Sequence, residues 1–244
     1  SLGTVQFNDV SGSAANAIDD ILPKAYEETW DGTSHSSSFH SFGSSTQSGS
    51  VDYRLPALSF GDMSLSLTAT YDPNAGSGPA SAGGVGGNDH SGVAYTAKID
   101  SGMGLAVGGG IEEVTTASTA TGASDLTRAT GYVTYSNGPL SIGYQEMFQN
   151  SENLGDSTTQ APDVEGDGIG IAFSQDNMSF SYAEVTEEVK DIAAVTSLET
   201  EMTALQATYT MGAMTLGASM YETDNPEGTT GKYEETELSV SFAF

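Results

Sequence analysis

"GIGIAFSQDNMSFSY", Gly168 to Tyr182, carries two runs of alternating side chains around a short polar break. Ile169, Ile171 and Phe173 fall at every second position, as do Met178, Phe180 and Tyr182, and "SQDN" (174–177) separates them. Successive side chains on a pleated backbone point to opposite faces, so period two marks a strand with one apolar face. Two such runs across a tight polar break read as an antiparallel hairpin.

The same alternation spreads outward in both directions. Before the hairpin it runs through Met63, Leu65, Leu67, Ala69 and Tyr71, through Val93, Tyr95, Ala97 and Ile99, through Leu105, Val107, Gly109 and Ile111, and through Leu140, Ile142 and Tyr144. After it come Leu205, Ala207 and Tyr209, then Met214, Leu216, Ala218 and Met220, then Leu238, Val240, Phe242 and Phe244. With weaker segments at Gly3–Asp9, Val51–Leu58 and Leu126–Ser136, the alternation rule gives about twelve strands. The opposite faces are Ser, Thr, Gly, Ala and a few charges.

A β-sandwich and a membrane barrel both alternate, so the connections decide between them. "SFGD" (59–62), "DSGMG" (100–104), "SNGP" (136–139), "SQDN" (174–177) and "MGA" (211–213) are tight, whereas the intervening connections at about 72–90, 114–125, 149–163, 186–201 and 223–231 are long and polar. Short turns at one end and long loops at the other are the layout of a transmembrane β-barrel. A sandwich has no reason to keep that order strictly. Tyr71, Tyr144, Phe148 and Tyr182 near the long-loop ends, with Phe60, Phe242 and Phe244 near the turns, fit two interfacial aromatic girdles. The expected fold is all-β, one antiparallel transmembrane β-barrel domain over residues 1–244.

Composition narrows the function classes. Of 244 residues, 33 are acidic and 6 basic, a formal charge of -27. Such a surface repels phosphate backbones, which removes nucleic acid as a partner. The chain has no cysteine and hence no disulfide. No apolar run is long enough for a membrane-spanning helix, and Ser1 in place of an initiator Met reads as a processed or partial chain.

The longest connection, about residues 10–50, follows the first strand. Ala14, Ala17, Ile18, Ile21 and Leu22 stand at helical spacing and Pro23 ends the pattern, which predicts a short helix. A strand, a short helix and then acidic residues, together with the C-terminal aromatic Phe244, resembles the general diffusion porins of Gram-negative outer membranes, of the α-proteobacterial, Rhodobacter-like type. In that family one long loop folds into a barrel of about sixteen strands and narrows the pore. The resemblance implies that the strands here are part of such a barrel, with four preceding the first. It also implies a homotrimer in outer-membrane lipid, an assembly signature at Phe244, and passive diffusion of small hydrophilic solutes and ions, without a cofactor or chemistry.

The residues expected to shape the pore follow from parity. Arg54, Lys98 and Arg128 each fall on the polar face of their strand, which points them into the lumen. The inward loop offers Asp19, Asp20, Glu27, Glu28 and Asp31 against them. Opposed cations and carboxylates across a constriction set up a transverse field, and the excess of carboxylates favours cations. "HSSSFH" contains His35 and His40, but nothing places a base beside a nucleophile, and His35, His40 and His90 all fall in predicted loops, so no catalytic residue is assigned. "DVEGDG" (163–168) imitates an EF-hand start, yet Ser174 stands where the bidentate Glu belongs; the external carboxylates leave room only for a looser calcium site. "GGVGGND" (83–89) lacks the Lys-Ser/Thr ending of a phosphate loop. The competing class is a secreted acidic β-sandwich serving as a surface or adhesion module, which would bury its apolar faces.

Overall fold

In a computed structural model of the chain the described residues are 2–9, 12–29, 31–32, 39, 41–47, 49–75, 90–116, 124–153, 163–190, 199–226 and 230–243. Thirteen strands form one antiparallel sheet: β1 (Thr4–Asn8), β2 (Ser50–Arg54), β3 (Leu58–Phe60), β4 (Met63–Asp72), β5 (His90–Asp100), β6 (Leu105–Thr116), β7 (Ser124–Asn137), β8 (Leu140–Asn153), β9 (Asp163–Gln175), β10 (Met178–Lys190), β11 (Glu199–Met211), β12 (Met214–Asp224) and β13 (Lys232–Phe242). Spatial order follows chain order from β1 to β13, except that β2 pairs β4 directly and β3 pairs β4 alone. Among the described residues β1 and β13 pair with no further strand and form the two edges.

The segment expected as one strand from Val51 to Leu58 is two pieces, β2 and β3, both on β4. Arg54 stands opposite Thr68 while Leu58 stands opposite Leu65, so four steps on one strand face three on the other. Pro56 lies in the gap. It has no N–H to give the ladder, and the extra residue is taken up as a bulge.

All five tight turns form where the sequence places them. Gly61, Gly138 and Gly212 hold φ values of 65°, 58° and 63°, which the two-residue hairpins require, and Asp176 does the same at 54°. Strand His90–Asp100 begins at His90, so that histidine opens β5 instead of lying in a loop. His35, His40 and Phe244 lie outside the described residues, as do the middles of the long connections.

Burial settles which way the strands face. Ile142, Tyr144, Ile169, Ile171, Phe173, Phe180, Tyr182, Leu205, Leu216 and Val240 are all exposed, whereas Asp52, Thr70, Glu112, Gln145, Glu187, Gln206 and Thr223 on the opposite faces are buried. A sandwich requires the reverse. The buried apolar groups lie inside, between wall and loop. Leu22 and Phe39 of the loop pack with Met147, Val164, Val185 and Met202 of the wall, and Ala15 and Phe42 pack with Ala94.

The outer face also has an upper edge. Tyr144 and Tyr182 donate their hydroxyls to Glu146 (2.7 Å) and Glu184 (2.9 Å), each two residues nearer the long-loop end. An apolar ring with its polar tip turned toward carboxylates is the arrangement of an aromatic girdle.

Candidate functional site

The loop after β1 runs along the inside of the sheet and back. Its outward leg meets strands in sequence. Ala14 N donates to Asp52 on β2 (2.9 Å), Ile21 N to Gln145 on β8 (2.8 Å), Ala25 N to Ser181 on β10 (2.8 Å), Tyr26 N to Gln206 on β11 (3.1 Å), and the Tyr26 hydroxyl to Glu237 on β13 (3.2 Å). The return leg meets them in reverse: Phe39 N donates to Glu187 on β10 (3.0 Å), Ser41 Oγ to Gln149 on β8 (3.2 Å), and Gly43 N to Glu112 on β6 (3.1 Å). One segment bonded to strands from β2 to β13 requires the sheet to curl around it. On β8 the legs sit at Gln145 and Gln149, about 14 Å apart along the strand at ~3.4 Å per residue. The outward leg is the one nearer the tight turns.

Two glutamines act as amide clamps. Gln145, wholly buried, accepts from Ile21 N and donates Nε2 to Ile18 O (3.0 Å), Asp19 O (3.2 Å) and Thr130 Oγ1 (2.9 Å). Gln206 accepts from Tyr26 N and donates to Glu27 O (2.6 Å). A primary amide presents a donor and an acceptor like a peptide, so it can replace strand pairing for a segment that has none.

The helical spacing over 14–22 yields one 3-10 turn, Asn16–Ile18, and not an α-helix. Ala14 N is taken by Asp52, Asn16 N by Ser13 Oγ and Ile21 N by Gln145, so the donors that would continue a helix are spent elsewhere. Of the spaced apolar residues, Leu22 seats against the wall and Ile18 packs on the cluster of Ala15, Phe42 and Ala94; Ala15, outside the spacing, is wholly buried.

Room for the loop comes from wall glycines. Gly143 and Gly170 are partners across β8 and β9, and a Cβ on either would come within 2.7 Å and 3.2 Å of Pro23 Cδ. One on Gly168 would lie 2.9 Å from Leu22 Cδ1.

The expected charges divide into open and committed groups. Asp20 is sealed, its side chain 2% exposed, and binds Lys24 at 3.0 Å; Lys24 also binds Glu28 at 2.7 Å. Lys24 therefore stands between two of the proposed acids, a cation that strand parity could not find because it lies in the loop. Asp19 is pushed up to about 7, chiefly by burial, with Glu28 and Asp20 adding repulsion against the backbone N–H of Asp20. Burial also raises Asp20, opposed by Lys24. Asp31 is exposed and accepts from Glu28 N (3.1 Å), and Glu27 lies within 3.5 Å of the Tyr221 hydroxyl.

On the wall, Arg54 and Lys98 have the expected lumen parity and keep 42% and 49% of their side chains exposed. Together with Ala14, Ala17 and Ile18 of the loop they line one cavity of about 230 Å³. Arg128 also has lumen parity, but it is not an open pore charge. Only 9% of its side chain is exposed, and its guanidinium binds Glu112 (2.9 Å), Ser45 (2.9 Å) and Gln149 (2.8 Å) under the return leg. Parity gives the face but not what covers it. Glu112 completes this knot by accepting from Gly43 N and Thr46 Oγ1 (3.1 Å each).

No protein-family model matches the chain, and no curated protein does. Among solved structures, a porin refined at 1.8 Å resolution is similar over 100% of this chain and 75% of its own, at 15% identity and a TM-score of 0.57. The outer-membrane expressed OmpT of Vibrio cholerae is similar over 98% of this chain and 74% of its own, at 10% identity and a TM-score of 0.54. At such identities the likeness is one of fold. The chain has the fold of an outer-membrane antiparallel β-barrel wall with a loop folded against its inner face.

Proposed function

We propose that the chain forms an outer-membrane diffusion channel: a porin wall whose inward loop narrows a water-filled passage for small hydrophilic solutes and ions, with a preference for cations. The observation that carries this reading is the inversion of burial, apolar faces outside and polar faces inside, with the polar face holding a loop through specific bonds. An apolar outside suits lipid, and a lumen lined by Ser, Thr, Gln and acids suits water. The proposed cation preference is supported by the five loop carboxylates Asp19, Asp20, Glu27, Glu28 and Asp31, which outnumber Lys24 on the loop and Arg54 and Lys98 on the facing wall. Unpaired backbone in hydrocarbon costs several kcal/mol per group, so the reading requires hydrogen-bonding partners for the edges β1 and β13. Assembly as a homotrimer belongs to the same proposal and is checked by mass measurement in detergent.

The test is planar-bilayer conductance of the folded, detergent-extracted protein across a salt gradient. Stable steps with a cation-selective reversal potential are expected. Folded protein that gives no steps would overturn the channel reading.

A further inference from the structure

The cavity beside the loop's first turn is lined in a way that passive diffusion does not require. Its wall side carries Ser66 and Thr68 from β4, Thr96 and Lys98 from β5, Tyr132 from β7 and Arg54 from the end of β2; its loop side is Ala14, Ala17 and Ile18. At about 230 Å³ it has room for roughly eight waters' share of liquid volume.

Its polar lining is short of acceptors. Tyr132 is 6% exposed, and its hydroxyl has no hydrogen-bond partner among the described residues. The hydroxyls of Ser66, Thr68 and Thr96 likewise make no side-chain bond there. Lys98 stands 3.7 Å from Asp100, too far for a good hydrogen bond, and Asp100 already accepts from Gly102 N at the turn. Arg54 gives one Nη to Asp52, but its Nε is buried without an acceptor, so the head is under-satisfied. Asp52, fully buried on the same inward face, pairs with one Nη of Arg54 at 3.0 Å and also accepts from Ala14 N and Thr70 Oγ1, so it offsets much of the Arg54 charge and leaves Lys98 as the more open cation.

Two cations, four hydroxyls and a small apolar side make a half-formed shell for one kind of solute. A carboxylate can accept from Lys98 Nζ and from the part of the Arg54 guanidinium that Asp52 leaves open. A short aliphatic chain fits against Ala14, Ala17 and Ile18. A bare inorganic anion would leave the apolar side unused, and an amine would meet Lys98 and Arg54 with like charge.

We infer that this cavity is a binding site for small aliphatic carboxylates, held between Arg54, Lys98 and Tyr132 on the wall and the apolar turn of the loop. The inference rests on the channel reading for its role, since a solute in the lumen reaches the site from the tight-turn side of the loop. A channel that favours cations overall thus contains a station at which one class of anion pauses.

Butyrate is the probe, measured first by calorimetric titration into the folded full chain in detergent, which needs no conduction. Saturable binding of butyrate, with none of butyramide or butylammonium, is expected. Lys98→Gln, a change at a half-exposed side chain that holds no part of the loop, should weaken binding about ten- to a hundredfold, the loss of one charge-assisted bond. Tyr132→Phe should weaken it less. No butyrate binding to folded protein, equal binding of butyramide, or unchanged affinity in Lys98→Gln would each overturn the inference. In bilayers butyrate should then interrupt the current, reversibly and with concentration. Binding without any channel steps would leave the site standing and sink the diffusion reading, whereas steps without binding would do the opposite.

Discussion

Replacing Gln145 by Met keeps most of the side-chain volume and removes the amide, which isolates the clamp from the cavity that a change to Ala would add. Four contacts go: the bond from Ile21 N (2.8 Å) and those to Ile18 O (3.0 Å), Asp19 O (3.2 Å) and Thr130 Oγ1 (2.9 Å). Nε2 has only two hydrogens, so its three acceptors share them and count as two full bonds at most. Ile21 N and Ile18 O then lie at a site where the residue beneath is 0% exposed, each orphan costing about 1–3 kcal/mol. Allowing for partial relaxation, the docked outward leg loses about 3 kcal/mol, a shift of roughly a hundredfold in its opening equilibrium. Protease cleavage within residues 12–29 reads that equilibrium directly when opening is fast relative to cutting. The expected result is cleavage about a hundredfold faster, with larger and noisier conductance steps. A folded Gln145→Met protein cleaved within about threefold of the unaltered one would refute the claim that this amide holds the loop.

Three other outcomes follow from the same geometry. Arg128→Met strands the fully buried Glu112 and should cost about 3–5 kcal/mol, seen as an earlier heat-induced mobility shift in electrophoresis; adding Glu112→Gln should recover part of it. Gly168→Val puts side-chain atoms within about 3 Å of Leu22 Cδ1 and Val185 Cγ2 and should destabilise loop docking by about 1–3 kcal/mol, read by the same protease assay. Asp19, whose carboxyl is pushed from 3.8 to about 7, binds its proton more tightly in the docked loop than in a free one; docking is therefore stabilised below about 7 and weakens as pH rises between the two values. Cleavage should be slower at about pH 5.5 than at about pH 8.5, cation selectivity should rise over that interval as Asp19 ionises, and both steps should vanish in Asp19→Asn.

The wall was open to reading because its code is local. Period two, the tight-turn glycines and the alternation of connection lengths each need only a few adjacent residues, and together they placed the strands from Met63 to Phe242. Pro56 could have signalled the break in the second strand, since it lacks the donor that a paired strand needs. Parity likewise oriented Arg54, Lys98 and Arg128 toward the lumen. It could not separate the first two, which stay half open, from Arg128, which the return leg covers. That difference depends on a contact between Ser45 and a strand 83 residues away, and alternation carries no information at that range.

The clamps were hidden for the same reason, yet the sequence does bear their imprint. On β8 and β9 the inward positions Gly143, Gln145, Gly168 and Gly170 pair as Gly143 with Gly170 and Gln145 with Gly168. A lumen that needed only to be wet would have no use for three bare positions around one amide. The pattern makes sense once Pro23 and Leu22 lie over the glycines and the glutamine takes the backbone between them. Docking is thus shared between the uncharged acceptors Gln145, Ser181 and Gln206, vacated side-chain space, and three buried carboxylates, Asp52, Glu112 and Glu187, that each take a loop N–H. The exposed charges at Glu28, Asp31 and Lys98 make no bond between loop and wall, whereas Arg54 pairs with Asp52 beneath Ala14 N. Selectivity can therefore be altered at those three positions without loosening the loop, and the loop can be loosened at Gln145 or Gly168 without changing any charge.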